Sequence, residues 1–258
     1  MSDETIKTTD KQKRPLRRHL LDILFLLLFS IGWILLNVHV VIGKFHVPEL
    51  VAWVFIPTGI MLFTWGLIRW RGDRWANFGL KRPENMKKAI VVFLGLLVFM
   101  WFSITFTEWL GIKRDLSQFE FMRTNPLLLV YMVIYVLIFA GFYEEIMFRG
   151  FLMVRLAQIF GGCMRLHQVT NENRPKRTAQ HIGPPCHGAW YLAIIAQGLF
   201  FGFAHAYQGL SGIIITGVAG MIFGATYLLA GRNLWPLILA HAVYDALRMI
   251  AFYFGYIG

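Results

Sequence analysis

Apolar residues in this chain fall into long blocks separated by short polar stretches, near residues 20–43, 49–69, 88–110, 127–148, 189–207, 211–231 and 234–257. At 1.5 Å of rise per residue, each block is long enough to cross about 30 Å of hydrocarbon as a helix. The pattern predicts an all-α fold, a polytopic transmembrane helical bundle of about seven spans within a range of six to eight. The chain divides into a basic tail over 1–19, N-terminal membrane helices over 20–125 and a membrane core over 126–258. A polar loop at 161–188 interrupts that core, and no separate soluble domain is expected.

Composition agrees, with 57% hydrophobic residues and a mean hydropathy of +0.56. Basic residues Lys11 to Arg18 precede the first block as in a signal peptide, but that block exceeds twenty residues and lacks a small-residue cleavage site. It is expected to stay as an anchor.

The net charge of +11 does not point to nucleic acid, because the positive residues sit beside the apolar blocks rather than on one soluble face. With the N-terminus inside, the tail and the even-side connections hold nineteen Lys and Arg residues, and the opposite side holds four: Lys44, Lys113, Arg114 and Arg123. Such asymmetry predicts a protein of the cytoplasmic membrane with its N-terminus inside and, for an odd number of spans, its C-terminus outside.

The segment WRGDRWANFGLKRP, 70–83, mixes aromatic and basic residues as expected for a linker at the headgroup level. Residues 163–188 are rich in Pro and turn formers, and read as a cytoplasmic loop. Cys163 and Cys186 lie there with His167, His181 and His187, in a spacing that matches no standard zinc knuckle or finger. Two free thiols are expected on a cytoplasmic face.

Three polar clusters remain inside the apolar blocks, where an unpaired ionised group is costly and reads as functional. In FYEEIMFRGF, residues 142–151, Glu145 and Arg149 share a helix face by i,i+4 spacing, while Glu144 is rotated away by about 100°. In GLFFGFAHAY, 198–207, Phe201 and His205 have the same spacing, and Gly198 and Gly202 let a neighbouring backbone approach. In HAVYDALR, 241–248, His241, Asp245 and Arg248 line one face. Glu144 and His205 each lie sixteen residues from the turn that joins their helices, which predicts that an antiparallel hairpin levels them. Asp22 and Glu108 read as interfacial and span-end residues.

A carboxylate and a neutral imidazole around one water are the parts of a general-base hydrolase, and a second polar pair suits the oxyanion of a tetrahedral intermediate. No G-x-S-x-G motif occurs, and neither cysteine lies in an apolar block. Hydrolysis by activated water is therefore the simplest enzymatic reading.

The ordered motifs EExxxR (Glu144, Glu145, Arg149), FxxxH (Phe201, His205) and HxxxD (His241, Asp245) resemble those of the CPBP family of intramembrane proteases. That family includes type II CAAX prenyl endopeptidases and bacterial Abi proteins. The continuation Arg149-Gly150-Phe151 and the lead GRNLWPLILAHAVYD resemble it too, so that the similarity covers roughly 127–250.

The resemblance implies an endopeptidase acting on a membrane-associated protein or peptide, with the lipid bilayer as its surroundings. It also implies that Glu144 and His205 activate the water, that Glu145 and Arg149 hold the site, and that His241 and Asp245 face the scissile carbonyl. No cofactor is then expected. A zinc-dependent version of the same protease is the alternative, since Glu and His also ligate zinc. Further alternatives are a non-catalytic immunity or binding protein and a proton-coupled transporter.

Two departures stand out. Many family members have Asn where this chain has Asp245, and an ionised Asp accepts hydrogen bonds only. The 163–188 loop is also long for its place between the first two motifs.

Overall fold

The computed structural model describes residues 3–37, 49–112, 115–161 and 187–257. The 163–186 part of the polar loop, with Cys163, His167, His181 and Cys186, lies outside them. Among the described residues every regular element is helical. Seven long helices follow in order: α1 (Asp3–Leu36), α2 (Glu49–Trp70), α3 (Met86–Trp109), α4 (Pro126–Phe160), α5 (His187–Ala204), α6 (Gly209–Leu229) and α7 (Trp235–Tyr253). Short 3-10 turns, Trp75–Phe78, Ser117–Thr124 and Ala206–Gln208, join some of them.

Each of the seven apolar blocks thus holds a helix, but five segments are long and apolar enough to count as spans by themselves. They are Arg17–Leu36, Trp53–Trp70, Met86–Thr107, Pro126–Phe160 and Ala206–Leu229. Among the described residues the other two helices fall short of that length and hydropathy for physical reasons. The apolar part of α5 is short, Gly188–Ala204, and α7 is made less apolar by His241, Asp245 and Arg248.

Local chemistry sets the helix ends. Asn125 caps α4 by accepting from Leu127 N at 2.8 Å, with Pro126 as the first helical residue. Asn233 does the same for α7 by accepting from Trp235 N at 3.0 Å. Its Nδ2 also donates to the Lys81 carbonyl at 2.7 Å, which ties α7 to the connection after α2.

That connection is more than the expected interfacial linker. Trp70 is exposed, but Phe78 is buried and its ring lies 5.6 Å from that of Phe151 on α4. Gly79 adopts φ +99°, and a Cβ there would lie 2.7 Å from the Tyr227 ring.

Helices α5 and α6 meet along a glycine seam. A Cβ on Gly202 would lie 2.5 Å from the Ile213 carbonyl oxygen, and one on Gly220 would lie 3.2 Å from the Gly198 Cα. Small residues let helix backbones approach where hydrocarbon surroundings supply no hydrophobic drive between helices. Gln197 locks the seam by donating to the Gly220 carbonyl at 2.6 Å. The main core gathers Ile146, Phe151, Met153, Ala193, Phe223, Tyr227 and Leu237 from α4 to α7. Outward faces are apolar too, with Val98, Trp101 and Leu127 at least 70% exposed, as suits contact with lipid rather than water.

Candidate active site

The site is built on the middle of α4. Over Val136–Leu152 this helix is wound as a π-helix, a rare form that in its short versions is frequent at functional sites. Gly141 lies in this wide section, and a Cβ there would lie 2.5 Å from the Ala242 Cβ. The close approach of α4 and α7 at this point carries His241, next to Ala242, up to the two glutamates.

Glu145 is fully buried, and its Oε1 accepts two hydrogen bonds, from Arg149 Nη1 at 3.0 Å and from His241 Nδ1 at 2.8 Å. The Arg149 guanidinium is sandwiched by aromatic rings, 4.2 Å from the centre of Phe201 and 5.1 Å from that of Phe223. The other ring nitrogen of His241, Nε2, lies 3.3 Å from Asp245 Oδ2. Carboxylates only accept, so the ring satisfies both neighbours with a hydrogen on each nitrogen. Asp245 therefore addresses His241, and no ion pair joins it to Arg248 among the described residues.

Glu144, one residue from Glu145, turns elsewhere. Its Oε2 is buried and has no hydrogen-bond partner among the described residues. With His205, His241 and Asp245 it lines a cavity of about 440 Å³, walled by residues from α2 to α7 and from the 3-10 turns. His205 does not continue a span, as expected, but follows the last residue of α5 and starts the 3-10 turn Ala206–Gln208. Its Nδ1 lies 2.8 Å from the Phe201 carbonyl, which can only accept, so the hydrogen is on Nδ1 and a neutral ring keeps Nε2 as an acceptor.

The six ionisable residues of the motifs thus fall into one neighbourhood with two parts. Glu145, Arg149, His241 and Asp245 form a connected chain of hydrogen bonds, and Glu144 and His205 face the cavity outside it. Among the described residues no three His, Cys, Asp or Glu side chains gather closely enough to hold a metal ion, and both nitrogens of His241 face carboxylates.

Sequence reasoning missed a second charged cluster near the other end of α4. Asp22, expected at an interface, is fully buried; it lies 2.7 Å from Arg71 Nε and 3.2 Å from Arg155 Nη2. Arg155 is buried and also lies 2.6 Å from Asp73. Its Nη1 lies 3.3 Å from His19 Nδ1 and donates to Gln158 Oε1 at 3.1 Å. The one signal in the sequence was Asp22 itself, an acid at the head of an apolar block.

Fold and site together define an integral membrane protein, all-helical and polytopic, with ionisable groups gathered around an internal cavity. Residues 126–247 match the Rce1-like family, type II CAAX prenyl endopeptidases, a family of membrane proteases to which this segment is similar. The match spans all three motifs and supports a protein substrate at the membrane. No curated protein and no solved structure matches the chain.

Proposed function

We propose that the protein is an intramembrane endopeptidase that cleaves a membrane-associated protein or peptide with a water activated by Glu144 and His205. The observation that carries this reading is the contrast between the two glutamates. Glu145 is engaged by Arg149 and His241, whereas Glu144 leaves a buried oxygen without a partner in the cavity. A free carboxylate beside an imidazole with an accepting nitrogen is suited to bind and deprotonate water.

In this reaction the water oxygen attacks the scissile carbonyl while its proton passes to Glu144. The negative charge that develops on the carbonyl oxygen is stabilised by the Nε2–H of His241, which Asp245 holds only loosely at 3.3 Å. The proton then moves to the leaving amine as the C–N bond breaks. Asp245 acts through His241, which accommodates an acid where many relatives have Asn.

The reading needs no metal ion, since Glu144 and His205 supply two donors where a catalytic zinc uses three from the protein. A tight zinc chelator is therefore expected to leave cleavage unchanged, and its abolition, reversed by added zinc, would establish the zinc-dependent version. The excess of basic residues beside the apolar segments on one side supports a location in the cytoplasmic membrane with the N-terminus on the cytoplasmic side.

The test compares membrane proteomes of cells carrying the wild type or Glu144→Gln, scored for new protein termini. Termini present with the wild type and lost in a folded, equally abundant mutant support proteolysis and identify the substrate. Identical termini would overturn the reading in favour of a binding or transport protein.

A further inference from the structure

A second hollow lies between α1 and α2 and shares no lining residue with the cavity of Glu144 and His205. It has a volume of about 540 Å³ and is lined by Phe25 and Phe29 of α1 and by Phe63, Gly66, Leu67 and Trp70 of α2. Gly66 leaves its wall open, since a Cβ there would meet nothing within 4 Å. The stacked rings of Phe29 and Phe63, with centroids 4.0 Å apart, join the helices at its inner end. Trp70, 70% exposed, stands at the other end.

The Trp70 end is basic. The Arg71 guanidinium lies 4.5 Å from the centre of the Trp70 ring, and Arg18 Nη2 donates to the Arg71 carbonyl at 2.9 Å. Both arginines belong to the Asp22 cluster, where Arg18, Arg71 and Arg155 face Asp22 and Asp73, three positive charges against two negative. Arg155 is buried between both acids, so the surplus charge falls to the outer pair, Arg18 and Arg71. Arg18 is held loosely, 3.6 Å from Asp73, and its buried Nε has no hydrogen-bond partner among the described residues. Arg17, next to Arg18, and Arg69, next to Trp70, are exposed and add charge of the same sign.

An apolar hollow open to the bilayer is filled by an acyl chain, and a basic cluster at the headgroup level attracts an anionic lipid. The two features are in register for a single molecule. Phe25 and Phe29 lie seven and eleven residues beyond Arg18 on α1, about 10 Å and 16 Å deeper at 1.5 Å per residue, which is the depth of one leaflet in a core of about 30 Å. Guanidinium groups match a phosphate with charge-assisted, bidentate hydrogen bonds. We infer that the hollow between α1 and α2 is a binding site for one anionic phospholipid of the leaflet that meets the basic tail, with an acyl chain against Gly66 and the phosphate at Arg18 and Arg71. Bound there, the lipid offsets the surplus charge of the Asp22 cluster and ties α1 to α2, whatever the cavity of Glu144 and His205 does.

The test is native mass spectrometry of the full chain, delipidated in detergent and titrated with dioleoyl phosphatidylglycerol or dioleoyl phosphatidylcholine, which share their chains and differ in headgroup. One phosphatidylglycerol is expected to be retained per chain, with a Kd about tenfold or more below that of phosphatidylcholine. Gly66→Phe puts a ring into the open hollow without touching a charge, and is expected to melt as the wild type does while weakening phosphatidylglycerol binding about fivefold or more. Gly66→Leu is the smaller second variant, with the same expected direction. Arg18→Gln is expected to reduce the preference between the two lipids below about threefold. Equal retention of the two lipids would overturn the site, as would phosphatidylglycerol binding unchanged in both Gly66 variants or a preference that survives Arg18→Gln. A dimer of the chain that excludes lipid and is dissociated by Gly66→Phe would give the hollow to a second copy, and would overturn it as well.

Discussion

Glu145 shows how much one buried oxygen can organise. Its Oε1 receives both a guanidinium and an imidazole, so that Arg149 and His241 depend on it for their orientation. Arg149→Met removes one charge of a desolvated pair, and is expected to destabilise the protein by about 3–5 kcal/mol in detergent unfolding measurements. Adding Glu145→Gln to Arg149→Met should cost less than the sum of the two single changes, because the second mutation removes the charge stranded by the first. The i,i+4 pairing of Glu145 with Arg149 was legible from spacing alone. The split in orientation between Glu144 and Glu145 was legible as a rotation, but not which residues each would meet, since His241 comes from α7 and His205 from the turn after α5.

At the scale of elements, the glycine seam between α5 and α6 governs where His205 sits, three residues beyond Gly202. Gly202→Ala would drive a methyl group against the Ile213 carbonyl, and overpacking of this kind costs about 1–3 kcal/mol. A fall in both melting temperature and cleavage rate is expected. Gly66 on α2 is a contrast: a Cβ there meets nothing within 4 Å, and Gly66→Ala is expected to leave activity alone while stabilising the helix by about 0.5–1 kcal/mol. Runs of apolar residues announced the helices well because membrane helices must be long and continuous. They did not announce the π-helical winding of α4, which is a property of backbone hydrogen bonding rather than of composition. Nor did they reveal the end of α5 at Ala204, since FAHAY carries no breaker.

For the whole molecule, the cluster of Asp22, Arg71, Asp73 and Arg155 joins α1, the connection after α2, and α4. Asp22→Asn would remove a buried charge shared by the buried Arg155 and the partly exposed Arg71, with an expected loss of about 3 kcal/mol. The exposed Asp115, held below the usual carboxyl range by its hydrogen bonds from Ser117, is the control: Asp115→Asn is expected to leave the melting temperature unchanged. Thermal unfolding of the two purified variants makes the comparison. Asp22 was misjudged from the sequence because its partners lie 49 and 133 residues away, beyond the reach of any periodicity.

The same separation has a consequence in time. As the chain is made, Asp22 enters the bilayer well before Arg71 and long before Arg155, which also completes the pairing of Asp73. Newly made α1 to α3 therefore wait with acids only partly neutralised, and a chain halted before residue 155 carries a charge defect that a complete one lacks. Arg155 is thus the last member of the cluster to be made, and it joins both acids at once.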